Sequence, residues 1–166
     1  MEISADLVKQ LRDKSGAGVM DCKRALQQCE GDFEKAMGVL REQGLSQAQK
    51  RAEREASQGI VESYVHGGGR IGVLVEVNCE TDFVARTSDF RELAHDVAMQ
   101  IAFSDPPSVG NEGPEPIGAD GSPLPLLQQP FIKDPSRTIA DLVRDTAAKT
   151  RENIVIRRFV RFELGA

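Results

Sequence analysis

The most constraining feature of this sequence is a change of hydrophobic period between residues 71 and 101. Residues 71–79 alternate, so one row of side chains faces a core, as in a half-buried β-strand. That row consists of Ile71, Val73, Val75, Val77 and Cys79. The alternation stops at residues 80–82, and a helical stripe follows at Phe90, Leu93, Ala94, Val97, Ala98 and Ile101. Residues 80–83 must therefore form a corner between a strand and a helix.

An acidic and an aromatic side chain, Asp82 and Phe83, lie at this corner, where side chains can project outward. Two interpretations compete. In the first, Asp82 caps the following helix and Phe83 fills the core beneath it. In the second, both side chains point away from the chain and contact a partner. Periodicity alone favours the first interpretation.

Residues 1–44 predict a compact module of three amphipathic helices. Ser4 is the predicted cap of the first helix, glycines at 16 and 18 interrupt the chain, and Asp32 is the predicted cap of the third helix, which Gly44 ends. The predicted apolar faces are Leu7, Val8 and Leu11; Met20, Ala25, Leu26 and Cys29; and Phe33, Ala36, Met37 and Leu40. A module of this size is typical of binding rather than catalysis. Residues 45–57 are rich in alanine and charge, which predicts a helical connector.

Residues 58–166 predict an α+β domain: an antiparallel sheet with helices packed on one side. A hairpin joins residues 60–65 to 71–79 through a glycine-rich turn at 66–70. All 8 prolines fall between Pro106 and Pro135, which predicts a mobile loop over 104–136 whose far end is anchored by Phe131 and Ile132.

The capping-box spacing of Thr138 and Asp141 starts another predicted helix, and a strand ends the chain. On this last strand, one face is predicted to hold Ile154, Ile156, Val160, Phe162 and Leu164, and the other Arg157, Arg161 and Glu163. Arg158 interrupts the apolar row, which suggests a β-bulge there.

Composition excludes several classes of protein. The chain carries 26 acidic and 21 basic residues, whereas a nucleic-acid coat or an anionic membrane surface calls for a basic excess. No apolar run approaches the roughly 18 residues of a membrane span, and the first residues do not resemble a signal peptide, so a cytoplasmic location is expected. Cys22 and Cys29 lie roughly 10 Å apart on a helix, too far for a disulfide, and all three cysteines are expected to be core residues. No cofactor or metal is predicted.

No set of residues resembles a catalytic centre, so the chain is expected to act by binding and not as an enzyme. The sequence His66-Gly67-Gly68-Gly69 occurs in the oxyanion loop of some esterases, but no Gly-x-Ser-x-Gly motif accompanies it and a turn explains the glycines. The runner-up to a protein-binding function is an RNA-binding protein, which would use Arg151, Arg157, Arg158 and Arg161.

Four motifs in order resemble the bacterial translation elongation factor Ts family. Asn78-Cys79-Glu80-Thr81-Asp82-Phe83-Val84-Ala85 is similar to the family's second signature, and the stretch from Leu11 to Leu26 is similar to its N-terminal signature. Further matches are Gln129-Pro130-Phe131, Asp134-Pro135-Ser136, and the segment from Glu152 to Glu163. The resemblance covers both ends and most of the middle of the chain.

The resemblance implies a ubiquitin-associated-type fold for residues 1–44 and a partner, the GTPase elongation factor Tu, from which GDP is released. It assigns displacement of the partner's Mg²⁺ to the positions of Thr81, Asp82, Phe83 and Val84. With the family match, this outward interpretation of the corner outweighs the capping interpretation. A second contact is expected from the exposed bases Lys9, Arg12 and Lys23 with Val19 and Met20. His95 and Met99 share an edge of their helix, for which a half-buried flank and a further partner contact are both open interpretations. The chain itself is not expected to bind nucleotide or nucleic acid.

The long form of this family carries two similar core halves, whereas this chain holds one core unit. It therefore resembles the short form, in which two copies replace the two halves. An isologous pair is the ordinary route to such symmetry, so the sequence predicts a homodimer formed through the sheet of the core domain.

Overall fold

The computed structural model describes residues 3–110 and 123–166. The chain divides into two compact units, residues 1–50 and residues 51–166.

The first unit is helical. It consists of α1 (Ala5–Ser15), α2 (Val19–Gln28) and most of α3 (Phe33–Ala52). Both predicted N-caps are present: the Ser4 hydroxyl accepts the Leu7 N–H at 3.2 Å, and the Asp32 carboxylate accepts the Lys35 N–H at 3.1 Å. The three helices bury one apolar cluster, consisting of Val8, Leu11, Cys22, Ala25, Leu26, Ala36 and Leu40.

The prediction that Gly44 ends the third helix is wrong. Helix α3 continues through Gly44 to Ala52, and residues 53–57 are not helical. A glycine inside a helix costs about 1 kcal/mol relative to alanine, which the good helix formers around Gly44 offset. The first half of the predicted connector is therefore the end of α3.

The second unit is built on an antiparallel sheet. Its strands are β1 (Gln58–His66), β2 (Ile71–Cys79), β3 (Pro130–Phe131), β4 (Asp134–Thr138) and β5 (Val155–Glu163). Its helices are α4 (Asp82–Ala85), α5 (Ser88–Ser104) and α6 (Ile139–Thr150). The main sheet has the order β1-β2-β5, and β3 pairs with β4 in a separate small sheet. The predicted α+β class is confirmed.

Helix α5 covers one face of the main sheet, as its stripe predicts. All six predicted stripe residues are buried, from Phe90 to Ile101, and they pack against the inward row of β2. Glycines 67, 68 and 69 adopt φ values of 61, 68 and 93°, so the glycines of the hairpin serve the turn. The same core takes in Leu126, Phe131 and Ile139.

A β-bulge changes the face of half of β5. Glu76 pairs with Arg158 and Val77 pairs with Ile156, so Arg157 is an extra residue between them. An extra residue reverses the alternation beyond it. The prediction that Val160, Phe162 and Leu164 share the inward face of Ile154 and Ile156 is therefore wrong, and these three side chains are exposed.

Beyond the bulge, the inward positions of β5 are taken by Phe159, which packs against the core, and by Arg161. The Arg161 side chain is 11% exposed and lies 2.8 Å from Glu163 and 3.6 Å from Asp105. Its guanidinium also donates to the Ala102 carbonyl near the end of α5. The prediction that Arg161 faces outward is thus corrected as well, whereas the predicted bulge is present next to Arg158.

The far end of the proline-rich segment is structured. Leu126 is fully buried in a short 3-10 helix, and Phe131 anchors β3 in the core as predicted. The buried Gln100 amide of α5 donates to Gln129 at 3.0 Å and accepts the Ile132 N–H at 3.0 Å. The predicted mobility of residues 111–122 lies outside the described residues. Downstream, α6 begins with the predicted capping box.

Candidate functional site

The corner, defined here as residues 81–84, is a single helical turn that follows β2. Thr81 is the N-cap of α4, and its hydroxyl accepts the Val84 N–H at 3.4 Å. Capping by Asp82, the first interpretation of the sequence, is therefore wrong. The Asp82 carboxylate instead lies 2.9 Å from the Arg86 guanidinium, and its side chain is 50% exposed.

The aromatic ring of the corner points away from the core. Phe83 is 78% exposed, whereas Ala85 two residues later is buried and Val84 packs against the core cluster. Val84 and Ala85 thus hold α4 against the protein while the intervening turn presents Phe83 and Asp82 to solvent. The Phe83 ring therefore buries little of its surface within its own chain.

Two chain segments meet behind the corner. The Glu152 carboxylate accepts the N–H groups of Glu80 and Thr81 at 3.0 and 3.1 Å, and it accepts the Thr81 hydroxyl at 2.6 Å. In return, the Glu80 carboxylate accepts the Asn153 N–H at 2.6 Å. Sequence patterns alone did not single out these contacts, because they join residues that are more than 70 positions apart.

Cys79 lies beneath the corner and is fully buried. Its thiol donates to the Thr81 carbonyl at 3.1 Å. Burial, and next the negative charge of Glu152, raise the pKa of Cys79 to about 11. The thiol therefore stays protonated and serves as a hydrogen-bond donor rather than as a nucleophile.

The predicted basic contact residues of the first unit line one groove. The groove has a volume of about 290 Å³ and is lined by Ile3, Ala5, Val8, Lys9, Arg12, Val19 and Lys23. Val19 and Met20 are 50% and 64% exposed at the start of α2. The structure thus brings Lys9, Arg12, Val19 and Lys23 together, and Met20 follows Val19 on the same helix. This surface belongs to the first unit and the corner belongs to the second.

The two residues predicted to contact a partner from α5 differ in exposure. Met99 packs against the core, whereas His95 is exposed. The His95 ring lies edge-on to Tyr64 with centroids 5.6 Å apart, and its Nδ1 atom is 3.6 Å from the Glu62 carboxylate. Only His95 therefore offers a large free surface.

The outer face of the main sheet is apolar and exposed. Register places Val65, Gly72 and Phe162 in one row, and Ser63, Leu74 and Val160 in the next. The exposed apolar side chains, here called the outer patch, are Val61, Val65, Leu74, Val160 and Phe162. An ion-pair cluster of Glu76 with Arg157 and Arg158 borders this patch. Exposed apolar patches rimmed by charge are typical of protein interfaces.

The two alternative functions find little support. Three of the four arginines proposed for RNA binding are held in ion pairs: Arg157 and Arg158 with Glu76, and Arg161 with Asp105 and Glu163. His66 stacks on Tyr64, and its Nδ1 atom is 3.3 Å from the Tyr64 hydroxyl. Of these arginines only Arg161 is buried between carboxylates, at 11% exposure, whereas Arg157 and Arg158 remain 65% and 79% exposed beside Glu76.

Within residues 3–110 and 123–166, no three histidine, cysteine or carboxylate side chains converge in a way that could hold a metal ion. In the same parts of the chain, no helix has both the length and the apolar character that crossing a bilayer requires.

Comparison with known proteins gives a consistent result. The family model described as elongation factor TS matches residues 6–114. The chain is 48% identical over 196 residues to elongation factor Ts of Coprothermobacter proteolyticus, with 99% of this chain and 100% of that protein covered. It is 49% identical over 194 residues to elongation factor Ts of Moorella thermoacetica, with 98% and 96% covered. These alignments are longer than the 166 residues of this chain, so the relatives carry residues that have no counterpart here.

Proposed function

The chain belongs to the elongation factor Ts family, and from this premise we propose that it is a guanine nucleotide exchange factor of translation elongation. It binds elongation factor Tu in complex with GDP, promotes the release of GDP, and stays bound until GTP enters. The chain performs no covalent chemistry in this role and acts in the cytoplasm. The single observation that carries the mechanism is the exposed Phe83 ring on the anchored corner.

Exchange requires a difference in binding and no chemical step. A GTPase holds GDP through backbone amides, a lysine and a Mg²⁺ ion that demands near-octahedral geometry. A protein that binds better to an open form of the GTPase than to the closed form shifts the population toward the open form. Linkage requires that the factor weaken GDP binding by as much as GDP weakens binding of the factor.

Phe83 supplies that difference in binding. Burial of a phenylalanine side chain is worth about 1.5–3 kcal/mol, and most of the Phe83 surface is available because the ring is 78% exposed. If the receiving groove exists only in the open GTPase, this energy stabilises the open form alone. The expected effect is about ten- to a hundredfold in relative affinity.

Asp82 acts beside the ring. In the free chain its partner is Arg86, four residues later and exposed, and such a surface pair is worth about 0–1 kcal/mol. Asp82 can therefore leave Arg86 at small cost and draw away polar groups that support the partner's Mg²⁺ site. Thr81 and Val84 hold the turn that carries both side chains. The corner thus displaces the metal through Asp82 and Phe83 acting together.

The groove of the first unit provides a second contact. Lys9, Arg12 and Lys23 surround apolar side chains, including Val19, and this combination suits a partner segment that has an acidic and an apolar side. Met20 adds an exposed apolar side chain next to it, and His95 contributes from the second unit. We propose a ubiquitin-associated-type fold for this module, which is supported by its three helices and the one apolar cluster that they bury.

We also propose that the chain is a homodimer, formed through the outer patch of the sheet. The patch is apolar across all three strands and would otherwise remain in water. A twofold axis would set the patch of one copy against that of the other and would supply two corners to the assembly. Sedimentation should give a dimer, and Phe162→Glu should convert it to a folded monomer. A monomeric wild-type chain with full exchange activity would reject this proposal.

The function is tested by the rate of release of a fluorescent GDP from purified elongation factor Tu. The chain should accelerate release strongly and in proportion to its concentration until it saturates. No acceleration at any concentration would refute the proposed function.

The mechanism needs a separate test. The double substitution Asp82→Ala with Phe83→Ala should slow release far more than it weakens formation of the complex, because the groove contact remains. A loss of release and of binding in equal measure would reduce the corner to a docking point.

A further inference from the structure

We infer that Glu152 is a positioning residue for the corner: it lies behind Thr81 and fixes the turn that presents Phe83. This inference rests on the proposed function and adds a residue to it. Glu152 precedes β5 and lies far in sequence from the corner. The hydrogen bonds of its carboxylate go to Glu80 and Thr81.

The position of Glu152 follows from where the sheet stops. Strands β2 and β5 pair as far as Asn78 and Val155, and beyond this pair their backbones separate. The N–H groups of Glu80 and Thr81 therefore have no partner strand. Both donate to one oxygen of the Glu152 carboxylate, at 3.0 and 3.1 Å. The Glu152 side chain thus replaces the backbone acceptors of a neighbouring strand and holds residues 80 and 81 in place.

A second carboxylate makes the arrangement reciprocal. Glu80 accepts the Asn153 N–H at 2.6 Å, while the Asn153 amide side chain donates to the Arg54 carbonyl at 2.7 Å. The Arg54 guanidinium lies 3.4 Å from the Glu80 carboxylate. Residues 80–81 and 152–153 therefore fix each other through hydrogen bonds in both directions, and charge is partly balanced by Arg54.

The hydroxyl of Thr81 transmits this order to the corner. A hydroxyl carries a single proton, and Thr81 donates it to the other Glu152 oxygen at 2.6 Å. Its lone pairs are then left to accept the Val84 N–H, which is the cap of α4. Glu152 thus orients the Thr81 cap, and the cap orients the turn that carries Phe83.

This order matters because a side chain that is already placed loses less conformational freedom on insertion. Without Glu152, two N–H groups and the Thr81 hydroxyl would lose their acceptor, and the turn would have to be ordered during binding to the GTPase. The affinity for the open form, which drives release, would decrease accordingly. Glu152 does this without touching the partner itself.

The test is Glu152→Gln, which preserves size but leaves one acceptor oxygen and turns an NH₂ group toward the donors. The maximal rate of GDP release should fall about tenfold, the scale expected for lost hydrogen bonds to a charged group. The matched control is Asp145→Asn, which removes a carboxylate on α6 that pairs with Arg137 and leaves release unchanged. In a background of Asp82→Ala with Phe83→Ala, Glu152→Gln should cause no further decrease, because the corner then carries neither of the side chains that Glu152 positions.

A second measurement uses the free chain and does not depend on the GTPase. In Glu152→Gln the amide hydrogens of Glu80 and Thr81 should exchange faster, whereas those of Val75 and Val77 should not change. Equal acceleration at all four amides would show a general loss of stability and would overturn the inference, as would unchanged exchange at residues 80 and 81. If Glu152→Gln does not fold, the same four amides are measured in Glu152→Asp, which retains the charge on a side chain that is shorter by one methylene group.

The two proposals fail in different ways. If the wild-type chain does not accelerate release, the proposed function is wrong, and the amide measurement still decides whether Glu152 orders the corner. If the wild type accelerates release but Glu152→Gln lowers the rate further in the background of Asp82→Ala with Phe83→Ala, Glu152 does not act through the corner and only this inference is overturned.

Discussion

Removal of one exposed ring should reduce exchange activity without reducing stability. In Phe83→Ala the side chain that is lost was 78% exposed, so the free energy of unfolding should change by no more than about 0.5 kcal/mol. The energy gained on insertion of the ring, about 1.5–3 kcal/mol, should be lost from the open complex alone. Elongation factor Tu bound to the variant should therefore hold GDP about ten- to a hundredfold more tightly than when bound to the wild type.

The assay is stopped-flow release of fluorescent GDP at saturating chain, with urea unfolding measured in parallel. Phe103→Ala is the matched control, because Phe103 is 75% exposed on α5 and belongs to none of the proposed contacts. The control should release GDP at the wild-type rate. Equal losses in Phe83→Ala and Phe103→Ala, or a loss in Phe83→Ala that follows a drop in stability, would refute the reasoning.

Three further predictions concern the rest of the fold. Burial raises the pKa of Cys79 from 9.0 to about 11, so its thiol should resist iodoacetamide at pH 8. The free energy of unfolding should decrease as the pH rises from 9.0 to about 11, because only the unfolded thiol is ionised in that range. Rapid alkylation of the folded chain would contradict this. A Cβ at Gly59 would lie 2.1 Å from the Val77 carbonyl oxygen, so Gly59→Ala should lower the free energy of unfolding by about 3 kcal/mol. The control Gly68→Ala, where φ is also positive but no atom lies near the added Cβ, should lower it by about 1 kcal/mol. Equal losses of the two variants in urea titrations would contradict this prediction. Arg12→Ala with Lys23→Ala should slow association with elongation factor Tu at low salt, and this difference should shrink as salt rises; a salt-independent difference would exclude an electrostatic contact.

The parts of the fold that local pattern determines could be predicted from the sequence. The alternation of β2 and the stripe of α5 each mark one apolar face. Because apolar side chains are buried, that face of each element must point toward the core. The helix caps at Ser4, Asp32 and Thr138 could also be predicted, because each capping hydrogen bond joins residues only three positions apart.

The errors arose where a local signal has two outcomes. Gly44 can end a helix or be tolerated within it, and the propensity of its neighbours decides in favour of continuation. On β5, the sequence predicts a bulge at Arg158, but the alternation counted from Ile154 was continued through it, whereas the extra residue at Arg157 moves Phe162 outward and Arg161 inward.

The candidate site could be predicted only in part from the sequence. The corner was located from the change of period, but its cap is Thr81 rather than Asp82, because a hydroxyl at that position reaches the Val84 N–H while the Asp82 carboxylate turns to Arg86. Glu152 had no local signal, since its partners lie in a segment more than 70 residues earlier. Contacts of that range become visible only when the chain is folded.

The proposed mechanism rests on displacement of the partner's Mg²⁺ by the corner. The direct measurement is the release rate of GDP from elongation factor Tu at saturating chain, for the wild type and for Asp82→Ala with Phe83→Ala, first with Mg²⁺ and then with the metal removed by a chelator. The double variant should be much slower than the wild type with Mg²⁺ present, and the difference should largely vanish without the metal. An equal difference under both conditions would contradict displacement of the metal by this corner.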